Sequence, residues 1–479
     1  MTKQPLSKRI GLFLGPLLFV SVLLLPFDMI SNKADTVIAV ALWMVFWWIT
    51  EAVSISVTAL LPLILFPLFK VMPMADVGAN YGSPIVFLFF GGFVLALALE
   101  KVNLHRRIAL NIIKKTGTTP NKVILGFMIA TGFMSMWISN TACVVFMLPI
   151  ALSVIHLLID DADGFSKNDQ NFAISVMLGI AFAANAGGIA TVIGTPPNSI
   201  LIGLLENEYH IEISFFKWML IGLPFSIVLI AIIYFVMVKW MFPSKDLKFN
   251  ASKDVIDAEI DKLGSMSAKE KRVLTIFGIT VFLWIFRSVI NSIVPNLELS
   301  DTMISLFGAL ALFTVPFNLK KGDFILQWND TQKLAWGILI LFGGGLALAN
   351  GMSESGIVDV IAQGISNSNI STLVTATLII ILMVFMTELM SNVALTAVLA
   401  PVVAGIAMGL NIPVLYLLIP VTMASSCAFM LPMATPPNAI VFASGYVKVS
   451  QMAKIGFILN LISVVLLILM FQFFVPWVF

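Results

Sequence analysis

Ser139-Asn140-Thr141 followed by Gly194-Thr195-Pro196-Pro197-Asn198, and Ser391-Asn392-Val393 followed by Ala434-Thr435-Pro436-Pro437-Asn438: one polar signature stands twice in this chain, each time within apolar sequence. Prolines and small polar residues interrupt helices, and an interrupted helix in lipid leaves backbone N–H and C=O groups unpaired. Such backbone persists only where protein buries it or where it lines a cavity. Two matching interruptions in the two halves of a chain point to the substrate site of a transporter.

The bulk composition agrees. Hydrophobic residues make up 59% of the 479 and charged residues 11%, and the mean hydropathy is +1.03. A soluble chain carries about a quarter charged residues. Windows of about 20 residues without charge recur, which predicts an all-α polytopic membrane protein embedded in a lipid bilayer. A β-barrel would show short alternating segments instead. The net charge of +2 gives no sign of a nucleic-acid partner. Residues 10–30 follow Lys3, Lys8 and Arg9 without a small-residue cleavage site, and read as a first spanning helix. Cys143 and Cys427 lie in apolar sequence and read as packing residues, and His105, His156 and His210 show no metal-ligand spacing.

Further spans are expected at 36–50, 53–70, 83–100, 171–205, 215–240, 273–293, 302–319, 334–351, 413–444 and 455–478. Residues 104–113, within a basic stretch that holds Lys101, Arg106, Arg107, Lys114, Lys115 and Lys122, read as a helix lying at the interface, basic on one side. The positive-inside rule then sets the topology. The N-terminus is inside, and four crossings bring the basic stretch inside as well. A single crossing by 123–158 would leave the Lys-rich linker 242–272 outside. A hairpin that enters and returns, with Ser139-Asn140-Thr141 at its tip, puts the linker inside together with Lys320, Lys321, Lys448 and Lys454. It also leaves 352–370, which has no Lys or Arg, outside. With a second hairpin over 371–410, the expectation is 11 spanning segments and two re-entrant hairpins, with the N-terminus cytoplasmic and the C-terminus outside.

Phe90-Gly91-Gly92 recurs as Phe342-Gly343-Gly344, and Asn140 recurs as Asn392, both at an offset of 252. Asn198 recurs as Asn438 at 240, the difference falling in a polar insert over 160–171 that is replaced by a tight connection at Asn411-Ile412-Pro413. The expected organisation is an N-terminal helix (1–35), a first repeat (36–241, with hairpin 123–158 and broken helix 171–205), a cytoplasmic linker (242–272) and a second, inverted repeat (273–479, with hairpin 371–410 and broken helix 413–444).

Hydroxyls and amides at a hairpin tip both donate and accept. Helices starting there present N–H groups and positive dipole ends, which favour an anion. The proline pairs free upstream carbonyls, which are hard oxygen ligands suited to an alkali cation. No Lys or Arg lies in any of the four motifs, so a divalent anion needs its charge compensated from elsewhere, and co-bound Na⁺ supplies that. Five residues before each motif Asn stands a hydroxyl, Ser135 before Asn140 and Thr387 before Asn392. A cation cage in each half would use that hydroxyl, the Asn side chain and the backbone around Gly194 or Ala434. Glu388 either orients its hairpin or binds a cation. Arg287 reads as an interfacial or inter-helix anchor, Glu51 as a further intramembrane charge, and Trp43, Trp47 and Trp48 as an aromatic belt.

The chain resembles the divalent anion:sodium symporter family over essentially its whole length. The resemblance rests on Trp47-Trp48-Ile49-Thr50-Glu51-Ala52, on Leu104-His105-Arg106-Arg107-Ile108-Ala109 and on the two motif pairs. It implies an elevator-type transporter, a homodimer, no cofactor beyond Na⁺ as coupling ion, and a place in the bacterial inner (plasma) membrane. It implies one Na⁺ site of Ser135, Ser139, Asn140 and Gly194, and another of Thr387, Asn392, Ala434 and the Met390 backbone. It places the substrate against Ser139, Asn140, Thr141, Thr195, Pro196, Asn392, Thr435 and Pro436, with Val393 where the first motif has Thr141. The function implied is Na⁺-driven import of C4-dicarboxylates such as succinate, fumarate and malate. A sodium-independent dicarboxylate/2-oxoacid exchanger and a carrier of citrate or, further off, sulfate are the alternatives. An intramembrane enzyme needs a nucleophile–base pair or a metal cluster that the motifs do not offer, and a passive channel does not call for paired hairpins.

Overall fold

The computed structural model describes residues 6–25, 31–117, 119–159, 166–244, 252–318, 322–367 and 370–479. The expectations for Lys3, for the start of the polar insert (160–165), for part of the linker (245–251) and for Lys320 and Lys321 lie outside the described residues. Among the described residues the regular structure is helical, with one isolated bridge between Asn318 and Asp323. The helices start where the sequence supplies caps. Ser31, Ser214, Ser267, Ser300 and Ser371 each accept a first-turn N–H, and Pro84, Pro120, Pro196 and Pro436 occupy first helical positions.

Eight helical segments among the described residues are long and apolar enough to cross a membrane: Asn32–Thr50, Met74–Lys101, Lys167–Gly188, Phe215–Met241, Ala268–Ile293, Trp336–Glu354, Asn392–Gly409 and Val449–Val478. On Ala268–Ile293, Ile279, Phe282 and Phe286 are exposed, as on a lipid-facing surface. The protein is an integral membrane protein.

Several elements differ from their sequence outlines. Residues 53–70 hold two short helices, Ile55–Thr58 and Leu61–Leu68, because Pro62 restarts the chain and Trp48 donates its indole N–H to Ile55 O at 3.0 Å. Trp48 is therefore interior and not part of a belt, while Trp43 and Trp47 close over Gly15 of the first helix, Leu6–Leu24. Glu51 is exposed in the left-handed turn that ends Asn32–Thr50, and it pairs with Lys8 at 3.3 Å. The stretch 352–370 is not an open loop. It carries the helix Ile357–Ser366, the counterpart of Leu104–Thr116, and each follows a left-handed residue, Gly356 or Asn103. The linker carries the helix Ser252–Leu263, which lies on Leu104–Thr116 through Arg106–Glu259 and Lys114–Asp257 (2.7 Å), while Arg107 pairs with Glu270 at 2.6 Å just beyond it.

Each expected hairpin is a pair of helices joined by a short non-helical tip: Pro120–Ser135 with Asn140–Ile159, and Thr372–Met386 with Asn392–Gly409. Each expected broken helix has a break of several residues, between Lys167–Gly188 and Pro196–Tyr209, and between Val414–Ser425 and Pro436–Ala443. The halves interlock. Pro436–Ala443 packs on Asn140–Ile159 and Lys167–Gly188, and Pro196–Tyr209 packs on Asn392–Gly409 and Val414–Ser425. Each break is thus walled by helices of the other half.

Candidate functional site

The tip of the first hairpin is built around Ser135, at the last turn of its helix and fully buried. Its hydroxyl reaches two acceptors, Asn140 Oδ1 and Ala184 O, the latter at 2.8 Å. The second half repeats the arrangement. The hydroxyl of Thr387, equally buried, lies 2.7 Å from Asn392 Oδ1 and 2.5 Å from Ser425 O. A hydroxyl has one proton. With the amides oriented as they stand in both halves, each triplet holds three oxygens and a single hydrogen, so one close oxygen–oxygen contact lacks a proton. A cation among the oxygens removes that repulsion; turning the amide over would remove it too. Gly188 brings the break to the tip. A Cβ there would stand 2.7 Å from Asn140 Oδ1 and 3.1 Å from Gly194 O, so only glycine permits this approach.

The breaks are held open by the last residue of each motif. Asn198 Nδ2 donates to Thr191 O at 2.8 Å and to Gly188 O at 3.3 Å, and Asn438 Nδ2 donates to Leu431 O at 3.1 Å and to Ala428 O at 3.2 Å. In both halves the partners lie seven and ten residues earlier. Both Asn side chains are fully buried and meet the need of carbonyls freed by the broken ladder. Across the halves, Asn185 donates to Ala428 O (3.1 Å) and Thr435 Oγ1 (3.2 Å), and Phe182 meets Phe429 edge-on at 5.1 Å.

Glu388 orients the second break. Its carboxylate accepts from three successive backbone N–H groups, Phe429 (2.7 Å), Met430 (2.9 Å) and Leu431 (3.0 Å), and from Asn460 Nδ2 at 2.9 Å. Consecutive amides around an anion form a nest, and all four partners are donors, as a carboxylate requires. The first half has Met136 at this place, and there its carbonyl accepts from the Thr191 hydroxyl at 2.5 Å. Arg287 anchors helices as expected, 2.7 Å from Glu212 and 3.4 Å from Asp301, whose other oxygen accepts from Phe215 N.

Of the residues expected from sequence, Ser135, Asn140 and Gly194 come together, as do Thr387 and Asn392. Ser139 is exposed and caps Ala142 N at 3.2 Å, and Thr141 and Val393 are half-buried beside it and its counterpart Ser391. Thr195 and Thr435 are buried as the residues before Pro196 and Pro436, and Pro436 is exposed. Met390 and Ala434 are buried next to the second tip and the second break, with no side-chain bond to the triplet. Four helices begin at motif residues, namely Asn140, Pro196, Asn392 and Pro436, so four positive dipole ends belong to the motifs, although the proline pairs carry no N–H and Asn198 N and Asn438 N are bonded to the threonines before them. The clamping roles of Asn198, Asn438 and Asn185 and the close approach at Gly188 were not read from the sequence. The shared final Asn of the two Pro-Pro motifs was the signal available for the first two. The free Cys143 and Cys427 are both buried. Two surface cavities of about 280 and 230 Å³, one beside Thr372 and Tyr416 and one beside His105, Arg106 and Glu259, include no motif residue.

A profile of the sodium:sulfate symporter transmembrane region matches residues 7–479. The chain belongs to this symporter family. The chain is similar to the sodium-dependent dicarboxylate transporter SdcS of Staphylococcus saprophyticus, 43% identical over 478 residues, covering 98% of this chain and 92% of that one. SdcS of Staphylococcus aureus is 42% identical over 484 residues, covering 99% and 93%. Two solved structures share the fold at 12% identity. They are Alcanivorax borkumensis YdaH, a transporter described as having an unusual topology (TM-score 0.61, 98% of this chain and 99% of that one), and Neisseria gonorrhoeae MtrF, described among antimetabolite efflux pumps (TM-score 0.60, 98% and 95%). Membership of the symporter family makes this chain a transporter and not an enzyme.

Proposed function

We propose that this protein imports C4-dicarboxylates, succinate, fumarate and malate among them, by symport with Na⁺. The observation that carries the reading is the proton-poor oxygen triplet, present once in each half at the same place relative to a motif Asn. Oxygen-only cages suit a hard alkali cation. The family name and the names of the SdcS relatives support sodium coupling, and the relatives favour a dicarboxylate over sulfate.

In this reading one Na⁺ is held by Ser135, Ser139, Asn140 and Gly194, and another by Thr387, Met390, Asn392 and Ala434. The dicarboxylate lies against Ser139, Asn140, Thr141, Thr195 and Pro196 on one side and Asn392, Val393, Thr435 and Pro436 on the other. Its two negative charges meet the two ions and four helix N-termini in place of Lys or Arg. The interlocked hairpins and broken helices travel as one body against the remaining helices, in a homodimer with 11 spanning segments per chain, in the bacterial plasma membrane. Uptake of radiolabelled succinate into proteoliposomes tests this. Accumulation is expected with an inward Na⁺ gradient and not with a matched K⁺ gradient. Uptake indifferent to Na⁺ but driven by preloaded dicarboxylate would make the protein an exchanger.

A further inference from the structure

Besides the Glu388 nest, the two breaks differ in how their oxygens are met. In the second, the side-chain nitrogen of Asn185 sits in a cup of three oxygens: Ala428 O at 3.1 Å, Thr435 Oγ1 at 3.2 Å and Asn438 Oδ1 at 3.4 Å. The first break carries the matching residues. Gly188, Thr195 and Asn198 stand 240 residues before Ala428, Thr435 and Asn438, and the Asn198 and Asn438 amides hold their strands through the same pair of carbonyls. The first break lacks the inserted amide. Asn185 directly follows Ala184, whose carbonyl takes the Ser135 hydroxyl, and Ser426 directly follows Ser425, whose carbonyl takes the Thr387 hydroxyl. Ser426 therefore stands where the repeat would put an asparagine, with a shorter side chain and no nitrogen. The consequence is visible in the unpaired groups. Asn198 Oδ1 and Ser426 Oγ are deeply buried and neither has a hydrogen-bond partner, and Thr195 makes no capping bond where Thr435 makes one.

We propose that Gly188 O, Thr195 Oγ1, Asn198 Oδ1 and Ser426 Oγ form a third Na⁺ site, the ion taking the place that the Asn185 amide fills in the other half. The proposal rests on the sodium-coupled reading above. All four donors are oxygens, the ligand set of a hard cation. Charge favours an ion over a buried water. Glu388 is buried, its partners are neutral donors, and it forms no ion pair among the described residues. Two Na⁺ neutralise a dicarboxylate and leave that carboxylate over; a third closes the balance. The site shares a wall with the first triplet, since Gly188 lies directly under the Asn140 amide. Thr195 would turn its hydroxyl to this ion and its backbone to the substrate.

The test is Ser426→Asn, which supplies the amide that the other half uses, with Ser426→Ala beside it. The Na⁺:succinate stoichiometry is read from the reversal potential of uptake in proteoliposomes, and Na⁺ binding from the thermal stabilisation of purified protein. Three ions per succinate are expected for the unaltered protein and two for Ser426→Asn. For Ser426→Ala the half-saturating Na⁺ concentration should rise about tenfold, or about 1.4 kcal/mol. A stoichiometry of two in the unaltered protein, or unchanged stoichiometry and half-saturation in both variants, overturns the site and leaves a structural water there. Should Ser426→Asn not fold, Ser426→Ala decides by its half-saturation alone. An unaltered protein that shows no Na⁺ dependence fails at the earlier step, and both readings fall together.

Discussion

At the scale of single residues, the two motif asparagines carry the most specific expectation. Each supplies one oxygen to a triplet whose other members are a buried hydroxyl and a backbone carbonyl. Removing a contact to a charged group costs about 1.5–3 kcal/mol, so Asn140→Ala and Asn392→Ala should each cut succinate uptake about 10- to 150-fold. Both variants should still elute as folded protein on size exclusion. Normal uptake by either would remove the residue from the site. Thr141→Val, by contrast, should alter the ranking of succinate, citrate and sulfate in competition assays more than the Na⁺ requirement. Val393 already occupies the matching place in the second half, half-buried and away from the triplet bonds.

At the scale of elements, the breaks depend on groups that never touch substrate. Asn198→Ala leaves the Gly188 and Thr191 carbonyls without their side-chain donor in a fully buried setting. About 1–3 kcal/mol of destabilisation follows, to be seen as a lower melting temperature in detergent. Gly188→Ala acts differently: its methyl would stand 2.7 Å from Asn140 Oδ1, so the tip must shift. The expected result is a raised half-saturating Na⁺ concentration in a protein that still folds. The linker helix Ser252–Leu263 makes a pH prediction. Hydrogen bonding to Lys262, with help from Arg106 and against the cost of burial, holds the Glu259 carboxyl below its usual range. A depressed carboxylate stabilises the folded linker helix above the ordinary glutamate pKa of about 4.3, and the effect is lost as pH falls through the lowered value. Hydrogen-exchange protection in 252–263, measured against the intrinsic rate at each pH, should therefore be constant near neutrality and fall only in acid.

At the scale of the whole molecule, the interlocking of the halves is the feature that sets the helices of the four sequence motifs against one another. Pro436–Ala443 belongs to the second half in sequence and to the first hairpin in space, and Pro196–Tyr209 does the reverse. The charge pattern predicts a topology, and that is testable directly. Reporter fusions at the two ends should place the N-terminus in the cytoplasm and the C-terminus outside. Both ends on one side would mean that a hairpin crosses the membrane. The helix Asn392–Gly409 is long enough to do so, which makes the second hairpin the one to probe by cysteine accessibility.

The sequence by itself determined the class of the protein, its helical content and where the helices are interrupted. Hydropathy, proline and capping residues are local quantities, and in a membrane each helix must satisfy its own backbone. It also determined the triplets, because an offset of 252 aligned Ser135 and Asn140 with Thr387 and Asn392. The helix Ile357–Ser366 was missed because its stretch has no basic residue to mark an interface, and Trp48 was misplaced because composition does not say which side of a helix faces protein. Only the tertiary structure decided that Glu388 holds three backbone amides, that Gly188 lies beneath Asn140, and that Asn185 donates into the opposite half while Asn198 Oδ1 and Ser426 Oγ are buried without hydrogen-bond partners. Those relations join residues far apart in the chain, through bonds of about 3 Å that depend on how one half packs into the other, and no local pattern encodes them.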